Sequence, residues 1–322
     1  MAQTKRAVSL WRWAPTIVLV ALIALFSLIN PNFLNAANFA RISIVAAPAL
    51  MVAIGASFII IMGSIDLSME GIIATTAVIF GTVFVALGGS ISAGYAWLAI
   101  PVTIVTAAAL GGINGALHVK LKIPSFMSSL AMGFAGTGIA LLITTGERIQ
   151  IADPGFRTLL TYKIYGFPLM AYVAFGCTLL AWFVQEKTIL GRNFYAVGGG
   201  EDLAYASGLN VGRVRMIGFA LAGIFYGIAA LLAVARLGIA ETTTGANYMF
   251  LSITAVVVGG TSLMGGVGGV WNTVVGVLIV NVISNGMVVV GLPRYLQDGV
   301  LGILIIAAVV LATDRKTISL IK

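Results

Sequence analysis

The sequence predicts an all-α bundle of about ten membrane-spanning helices, and composition is the first reason. Of 322 residues, 60% are hydrophobic and 9% are charged, and the mean hydropathy is +1.09. Soluble domains carry about 25% charged residues, so this composition indicates a protein that lies mainly within a lipid bilayer. A spanning helix needs about 20 mostly apolar residues, because hydrocarbon offers the backbone no hydrogen-bond partners. The runs 17–28 and 300–312 are apolar on all faces, which excludes the alternating strands of a transmembrane barrel.

Ten apolar segments follow one another along the chain, and the polar stretches between them are short. The longest polar stretches are 146–166 and 185–215, so we predict a single transmembrane domain over 1–322. The 39 glycines lie largely within the apolar runs, where small residues let helices pack closely. The predicted spans are 14–30, 41–63, 69–88, 94–118, 125–145, 168–185, 214–236, 247–264, 269–290 and 296–313.

The positions of the basic residues predict which side of the membrane each loop occupies. Ten spans place both termini on one side, and loops rich in Lys and Arg stay in the cytoplasm. With cytoplasmic termini, twelve of the 18 basic residues fall inside. The sequence therefore predicts a multi-pass protein with both termini in the cytoplasm. The twelve are Lys5, Arg6, Arg12, Lys120, Lys122, Lys187, Arg192, Arg213, Arg215, Arg315, Lys316 and Lys322.

Few side chains in the sequence suit catalysis or metal binding. His118 is the one histidine and stands at a segment end, and Cys177 is the one cysteine and stands in an apolar run. A lone cysteine builds neither a disulfide framework nor a cysteine metal site, and one histidine leaves little for acid–base chemistry. The net charge of +8 is spread over short loops instead of one patch. We therefore expect no enzyme active site, no resident metal and no nucleic-acid partner.

The polar stretch 188–208 contains a short segment with helix-end signals. Glu201 and Asp202 stand where a helix N-terminus favours negative charge, and Gly208 stands where a left-handed residue ends a helix. These signals predict a capped surface helix over 201–207. Such a helix is either a docking element for a partner or an ordinary connection between two spans.

Two further stretches place polar residues in apolar surroundings. Asp66 and Glu70 are four residues apart and are predicted to share one helix face. Charge inside a membrane is costly, so Asp66 either orients a polar gate or accepts solute hydroxyls, or it is simply a carboxylate that is exposed at a loop or caps a helix. The glycine-rich stretch 259–266 indicates either a broken helix that lines a pathway or close helix packing. The stretch 63–67 is weakly similar to 259–263, which suggests an internal repeat.

The stretch 188–208 resembles the cytoplasmic loop of the ribose/xylose-type permeases of ATP-binding-cassette importers, within the branched-chain amino acid/ribose permease superfamily. The resemblance rests on Thr188, Gly191-Arg192, Tyr195-Ala196, Gly198-Gly199 and Ser207-Gly208, in that order. It covers nearly the whole chain. The other matching positions are 63–68, 114–126, 166–168, 259–266, Asn285-Gly286, Gly291, Tyr295, Gln297 and Gly302.

This resemblance implies a membrane subunit that imports a monosaccharide or related polyol unchanged across a bacterial inner membrane. It implies partner ATPase subunits that hold ATP and Mg, a periplasmic sugar-binding protein, and a second permease copy or paralogue, all surrounded by membrane lipids. The chain itself would then bind no cofactor. In agreement, the glycine-rich stretch 259–269 contains no Gly-Lys-Ser/Thr phosphate loop.

The resemblance also implies coupling and translocation roles for particular residues. The chain departs from the family at Glu70, Met249, Leu251 and Asp298, which leaves the identity of the solute open. Coupling to the ATPase would fall to Gly191, Arg192, Tyr195, Gly199, Glu201, Asp202, Ala204, Ser207 and Gly208, with the coupling helix inside 188–213. The translocation pathway would use Asp66, Ser68, Glu70, Gly259, Gly260, Thr261 and Ser262.

Two other transport functions stay open at this stage. Permeases for branched-chain amino acids or nucleosides share the broader fold, although the stretch 188–208 favours sugars. Alternatively, Asp66, Glu70 and Asp298 would couple protons or sodium in a secondary transporter that needs no ATPase.

Overall fold

The computed structural model describes residues 2–92, 94–293, 296–297, 299–300 and 302–303, with side chains from Trp13 onward. The described part of the chain forms twelve α-helices joined by short loops. They are α1 (Ala2–Ile29), α2 (Ala36–Ile61), α3 (Met69–Ala86), α4 (Ala99–Lys120), α5 (Ser125–Thr144), α6 (Pro154–Thr161), α7 (Leu169–Lys187), α8 (Ile189–Gly199), α9 (Glu201–Ala206), α10 (Val211–Leu237), α11 (Tyr248–Val258) and α12 (Val270–Val289).

Short irregular elements complete the connections between the helices. Two single-turn 3-10 helices cover Pro31–Leu34 and Ala96–Leu98. Four two-residue strands form two antiparallel pairs, β1 with β4 and β2 with β3. The strands are β1 (Ile149–Gln150), β2 (Lys163–Ile164), β3 (Phe167–Pro168) and β4 (Ile239–Ala240).

The predicted all-α multi-pass fold is confirmed. Among the described residues, seven helices are long and apolar enough to cross a bilayer, namely α2, α3, α4, α5, α7, α10 and α12. The apolar part of α1, Trp13–Ile29, and α11 are shorter. Nine of the ten predicted spans therefore coincide with a helix. The tenth, 296–313, lies largely outside the described residues, as does Asp298.

The predicted span 247–264 differs most from its prediction. Its helix, α11, has only 11 residues and ends at Val258. Gly260 follows with a φ of +96°, a left-handed conformation that a helix does not continue through. At about 1.5 Å per residue, α11 extends only about 16 Å, roughly half of a bilayer core.

The loops gather at two opposite ends of the bundle. At the end that carries α8 and α9, called here the α8–α9 end, the Gly266 amide donates to the Ile61 carbonyl at 2.9 Å. The Ile65 amide donates to the Ser125 hydroxyl at 3.1 Å at the same end. At the opposite end β1 pairs with β4. Successive loops alternate between the two ends, as a multi-pass topology requires.

Helices α2 and α10 form the centre of the bundle. In the most apolar 18 residues of each helix, 83% of the residues of α2 and 72% of those of α10 are buried inside the protein. The corresponding share is 28% for α4, α5 and α7. Gly223 of α10 contacts the backbone of Ala107 in α4, so the two helices touch without an intervening side chain. The outer helices α4, α5 and α7 therefore pack around α2 and α10 and expose apolar faces on the outside of the bundle.

Candidate functional site

Asp66 lies in the irregular segment between α2 and α3, where only 3% of its surface is exposed. Its Oδ1 accepts hydrogen bonds from the amide of Ser68 at 2.8 Å and from the hydroxyl of Ser68 at 2.6 Å. A carboxylate that accepts from the amide two residues later forms an Asx turn, and here the turn starts α3 at Met69. The prediction that Asp66 and Glu70 share a helix face is wrong, because Asp66 precedes the helix and takes part in starting it.

Side chains from two other helices complete the surroundings of Asp66. The hydroxyl of Tyr226 in α10 donates to Oδ2 at 2.9 Å, and the side-chain amide of Asn114 in α4 donates to Oδ1 at 3.3 Å. The sequence did not link Tyr226 or Asn114 to Asp66, since only tertiary packing joins positions so far apart. Both carboxylate oxygens are thus bonded to protein donors, so Asp66 fixes the break between α2 and α3 in this conformation.

Glu70 lies in the first turn of α3 and joins it to the first turn of α11. Its Oε1 accepts the amide hydrogen of Met249 at 3.2 Å, and the Gly245 backbone contacts its carbonyl oxygen. The side chain is half-buried, and no cation of the described residues lies within ion-pair distance. Its negative charge is instead placed at two helix N-termini, whose dipoles favour an anion.

Glu70 lies deep in the bundle. It precedes the end of α3 at Ala86 by 16 residues, which is about 24 Å at about 1.5 Å per residue. Met249 precedes the end of α11 at Val258 by 9 residues, or about 13 Å. The carboxylate is therefore near the middle of a bilayer core about 30 Å thick. Ionisable groups at that depth are rare, because lipid disfavours charge.

The stretch 259–269 is a loop between α11 and α12 at the α8–α9 end. Gly265 and Gly266 have φ of +87° and +72° and turn the chain. The Thr261 hydroxyl is buried and has no hydrogen-bond partner among the described residues. About 13 Å of α11, from Met249 to Val258, separates this loop from Glu70, so the structure does not bring Glu70 and the predicted loop residues together. The predicted pathway residues of this loop are Gly259, Gly260, Thr261 and Ser262.

The turn at Gly63, which begins the stretch 63–67, lies against the turn at Gly265, just after the similar stretch 259–263. A Cβ added to Gly265 would lie 2.8 Å from the Gly63 amide nitrogen, so the backbones are in contact. Each stretch follows the end of an apolar helix, α2 in one case and α11 in the other. The likeness in sequence therefore corresponds to two turns at the same end of the bundle.

The predicted surface helix over 201–207 is present as α9. Gly208 follows it with a φ of +85°, the left-handed conformation predicted for this position. Leu203 and Tyr205 each expose 76% of their surface, whereas Ala204 between them is buried. The sequence did not single out Leu203 or Tyr205, although a large apolar residue in a polar loop was a signal available to it. These two side chains, rather than Ala204, are accessible to a partner.

The other residues predicted to couple to a partner lie around α9. The Glu201 carboxylate pairs with Arg215 of α10 at 2.7 Å. Gly191 is buried against the Gln185 carbonyl, and the Tyr195 hydroxyl also turns inward, to the side chain of Gln185 at 2.7 Å. Gly191 and Tyr195 belong to α8, a helix that the sequence did not predict. The exposed members of the set are Arg192, Gly199, Glu201, Asp202, Ser207 and Gly208.

Comparison with known proteins identifies relatives over most of the chain. The chain is 34% identical over 304 residues to the ribose import permease protein of Bacillus subtilis, covering 94% of this chain and 92% of that protein. It is 30% identical over 299 residues to the D-allose transport system permease protein of Escherichia coli, covering 92% and 90%. It is 29% identical over 298 residues to the L-arabinose transport system permease protein of the same organism, covering 91% and 88%. No solved structure matches it.

A family model extends this agreement beyond single relatives. The model is described as the permease component of branched-chain amino acid transport systems, and it matches residues 38–309. That range contains nearly all of α2, the helices α3 to α12, the Asp66 and Glu70 segment, and the exposed helix α9. The chain therefore belongs to the family of branched-chain amino acid transport system permease components.

Proposed function

We propose that this protein is the membrane-spanning subunit of an ATP-driven importer for a monosaccharide or related polyol. The observation that carries the proposal is similarity over about nine-tenths of the chain to permeases named for ribose, D-allose and L-arabinose. These sugars are neutral and carry many hydroxyl groups. A solute of that chemistry is therefore the proposed cargo.

The proposed orientation places the α8–α9 end in the cytoplasm of a bacterium and the opposite end in the periplasm. Lys120, Lys122, Lys187, Arg192, Arg213 and Arg215 lie at or near the α8–α9 end. The basic N-terminal residues of α1 belong to the same side, since α1 enters the bundle with Pro15 beside Gly260. An excess of Lys and Arg favours the cytoplasmic side.

The proposed partners bind at the two opposite ends of the bundle. On the cytoplasmic side, α9 docks on an ATPase subunit that holds ATP and Mg, and its exposed Leu203 and Tyr205 fill an apolar groove there. On the periplasmic side, a sugar-binding protein delivers the solute. A second permease copy or paralogue covers part of the exposed apolar faces of the outer helices.

Glu70 is the proposed contact for the solute. Its Oε1 accepts the Met249 amide, and carboxylate oxygens have further lone pairs that can accept from sugar hydroxyls. Because the N-termini of α3 and α11 already offset its charge, the site does not require a cationic solute. A neutral polyol, which needs only acceptors for its hydroxyl groups, matches this balance.

Uptake into cells that express or lack the chain tests the proposed cargo class. The panel consists of labelled ribose, allose, arabinose, a polyol, leucine and uridine. We expect at least one sugar or polyol to depend on the chain, and neither leucine nor uridine to do so. Dependence of leucine or uridine alone would contradict the proposed cargo.

A secondary transporter is the second candidate, and the intramembrane position of Glu70 is the observation that favours it. A carboxylate at that depth is a typical coupling site for protons or sodium. Uptake that persists when cellular ATP is depleted, and stops when a protonophore or sodium removal abolishes the ion gradient, would favour this candidate. ATP-dependent uptake that survives loss of the ion gradients supports the importer.

A further inference from the structure

Gln185, in the last turn of α7, joins three elements at the α8–α9 end. Only 4% of its surface is exposed. Its Oε1 accepts the amide hydrogen of Val270 at 2.7 Å, and its Nε2 donates to the Tyr195 hydroxyl at 2.7 Å. That hydroxyl donates in turn to the Gly268 carbonyl at 2.7 Å. Three short hydrogen bonds therefore connect α7, α8 and the start of α12.

The first turn of α12 depends on this connection because it has no cap of its own. Its N-cap residue is Gly269, which has no side chain to accept a hydrogen bond. The amide of Val270 is buried, and a buried helix-terminal amide without an acceptor is costly. Gln185 supplies the acceptor from another helix. The N-terminus of α12 is thus positioned by α7.

Helix α8 packs directly against the ends of α7 and α2. Gly191 contacts the Gln185 carbonyl, and Gly198 contacts the Ile61 carbonyl at the end of α2. A Cβ at either glycine would overlap backbone atoms, so no flexible side-chain layer separates α8 from these helices. A displacement of α8 must therefore move the ends of α7 and α2.

The direction of the hydrogen bonds is fixed by the chemistry of the groups. The Gln185 Nε2 can only donate, so the Tyr195 hydroxyl accepts from it and donates to Gly268. Burial, and to a smaller extent the neighbouring Glu186 carboxylate, together raise the pKa of the Tyr195 phenol to about 12. The phenol therefore stays protonated at physiological pH and keeps its proton for the Gly268 carbonyl.

From α12 the contacts continue toward the middle of the membrane. Asn272 of α12 donates to the Gly259 carbonyl at the end of α11 at 3.0 Å, and Gly276 contacts the Ala255 carbonyl. The far end of α11 holds Glu70 through the Met249 amide. A continuous line of contacts therefore joins the exposed helix α9, through α8, α12 and α11, to the half-buried Glu70 carboxylate.

We infer that Gln185 and Tyr195 are positioning residues that transmit movement of α8 and α9 to the N-terminus of α12, and so couple ATP hydrolysis to transport. This inference rests on the proposed function. It adds Gln185 to the coupling residues, and it gives Tyr195, which the resemblance already assigned to coupling, an inward-facing role in the connection. The hydrogen bonds of Gln185 and Tyr195 described above are all to groups of this chain. Substituting these two residues should uncouple ATP hydrolysis from solute uptake, while the complex with the ATPase still assembles.

The test compares Tyr195→Phe with Tyr172→Phe in the complex of this chain with its ATPase, reconstituted in lipid vesicles. Both substitutions remove one hydroxyl that donates to a backbone carbonyl, since Tyr172 donates to Ile164 at 2.8 Å near the opposite end. ATP hydrolysis and uptake of the solute identified by the uptake panel are measured on the same preparation. Tyr195→Phe removes two hydrogen bonds, one accepted from Gln185 and one donated to Gly268. It should lower the solute moved per ATP by at least about fivefold, the size of one lost hydrogen bond. Tyr172→Phe should leave that ratio unchanged.

The outcomes separate the inference from the proposed function. An unchanged ratio in Tyr195→Phe overturns the inference, and so does a parallel loss of uptake, hydrolysis and recovered complex, which would mean a purely structural role. Failure of the unsubstituted chain to hold any ATPase overturns the proposed function itself. As a second variant, Gln185→Glu keeps the acceptor for Val270 but diverts the Tyr195 proton from Gly268, so it should uncouple as well.

Discussion

Asp66 and Glu70 are near neighbours in sequence, but they have different environments. Asp66 is buried and bonded on both oxygens to protein donors, whereas Glu70 is half-buried and accepts from one amide. A fully satisfied buried carboxylate specifies a local structure, and a carboxylate with free acceptor capacity can bind a ligand. The two residues therefore lead to different predictions, one about stability and one about transport.

Tyr226→Phe should destabilise the folded chain by about 1 to 3 kcal/mol, because it removes one donor from a buried carboxylate. The measurement is the thermal unfolding of the purified protein in detergent. The matched control is Tyr162→Phe, since Tyr162 is exposed and its hydroxyl makes no hydrogen bond within the described structure. Equal unfolding temperatures for both variants would show that the Tyr226 bond to Asp66 contributes nothing.

Glu70→Gln should weaken solute uptake without affecting the amount of folded protein. The amide oxygen still accepts from Met249, but an uncharged acceptor binds hydroxyls less strongly, so the apparent affinity should fall about fivefold. The measurement is the concentration dependence of uptake, with Glu147→Gln, an exposed change at the opposite end, as control. Unchanged affinity in Glu70→Gln would remove this residue from the pathway.

Helix α8 shows how an element can be fixed by contacts that its own sequence does not reveal. Thr188 caps it by accepting from the Gly191 amide, and its glycines let it lie against the backbone of neighbouring segments. Two adjacent glycines differ in this respect. Gly198 touches the Ile61 carbonyl and the Gly266 amide nitrogen, whereas nothing lies within 4 Å of a Cβ added to Gly199.

Gly198→Ala should therefore destabilise the protein by about 1 to 3 kcal/mol through overpacking. Gly199→Ala, one position away, should change stability by no more than about 0.5 kcal/mol. Unfolding curves for the two variants check the expected difference. If Gly198→Ala proves as stable as Gly199→Ala, α8 is not held tightly against α2.

At the scale of the whole molecule, the arrangement of the loops predicts which residues each side of the membrane can reach. Tyr165 is 96% exposed at the opposite end, and Tyr205 is 76% exposed at the α8–α9 end. In a chain with Cys177→Ala, we expect Tyr165→Cys to react with a membrane-impermeant maleimide in intact spheroplasts. Tyr205→Cys should react only after permeabilisation. The reverse pattern would invert the proposed orientation.

The amount that could be predicted from sequence differs between the fold and the site. Nine spans and the helix α9 with its left-handed Gly208 were predictable, because long apolar runs and helix-end residues are local signals. The partners of Asp66 were not, since Tyr226 and Asn114 reach it only after the helices pack. The short length of α11 was missed because the run 247–258 continues into small residues that are apolar enough to extend a span. Gln185 was missed because its role depends on the distant Val270.

The central claim is that this chain works as the membrane subunit of an ATP-driven importer. The most direct test is to purify the tagged chain from its native membrane in mild detergent and identify the proteins recovered with it by mass spectrometry. The same purification is repeated with Leu203→Asp plus Tyr205→Asp, and with Leu121→Asp, an exposed leucine near the same end, as control. We predict that an ATPase with phosphate loops accompanies the unsubstituted chain and the control but is lost from the double variant. Recovery of the chain without any ATPase, under conditions that keep other importers intact, would contradict the claim.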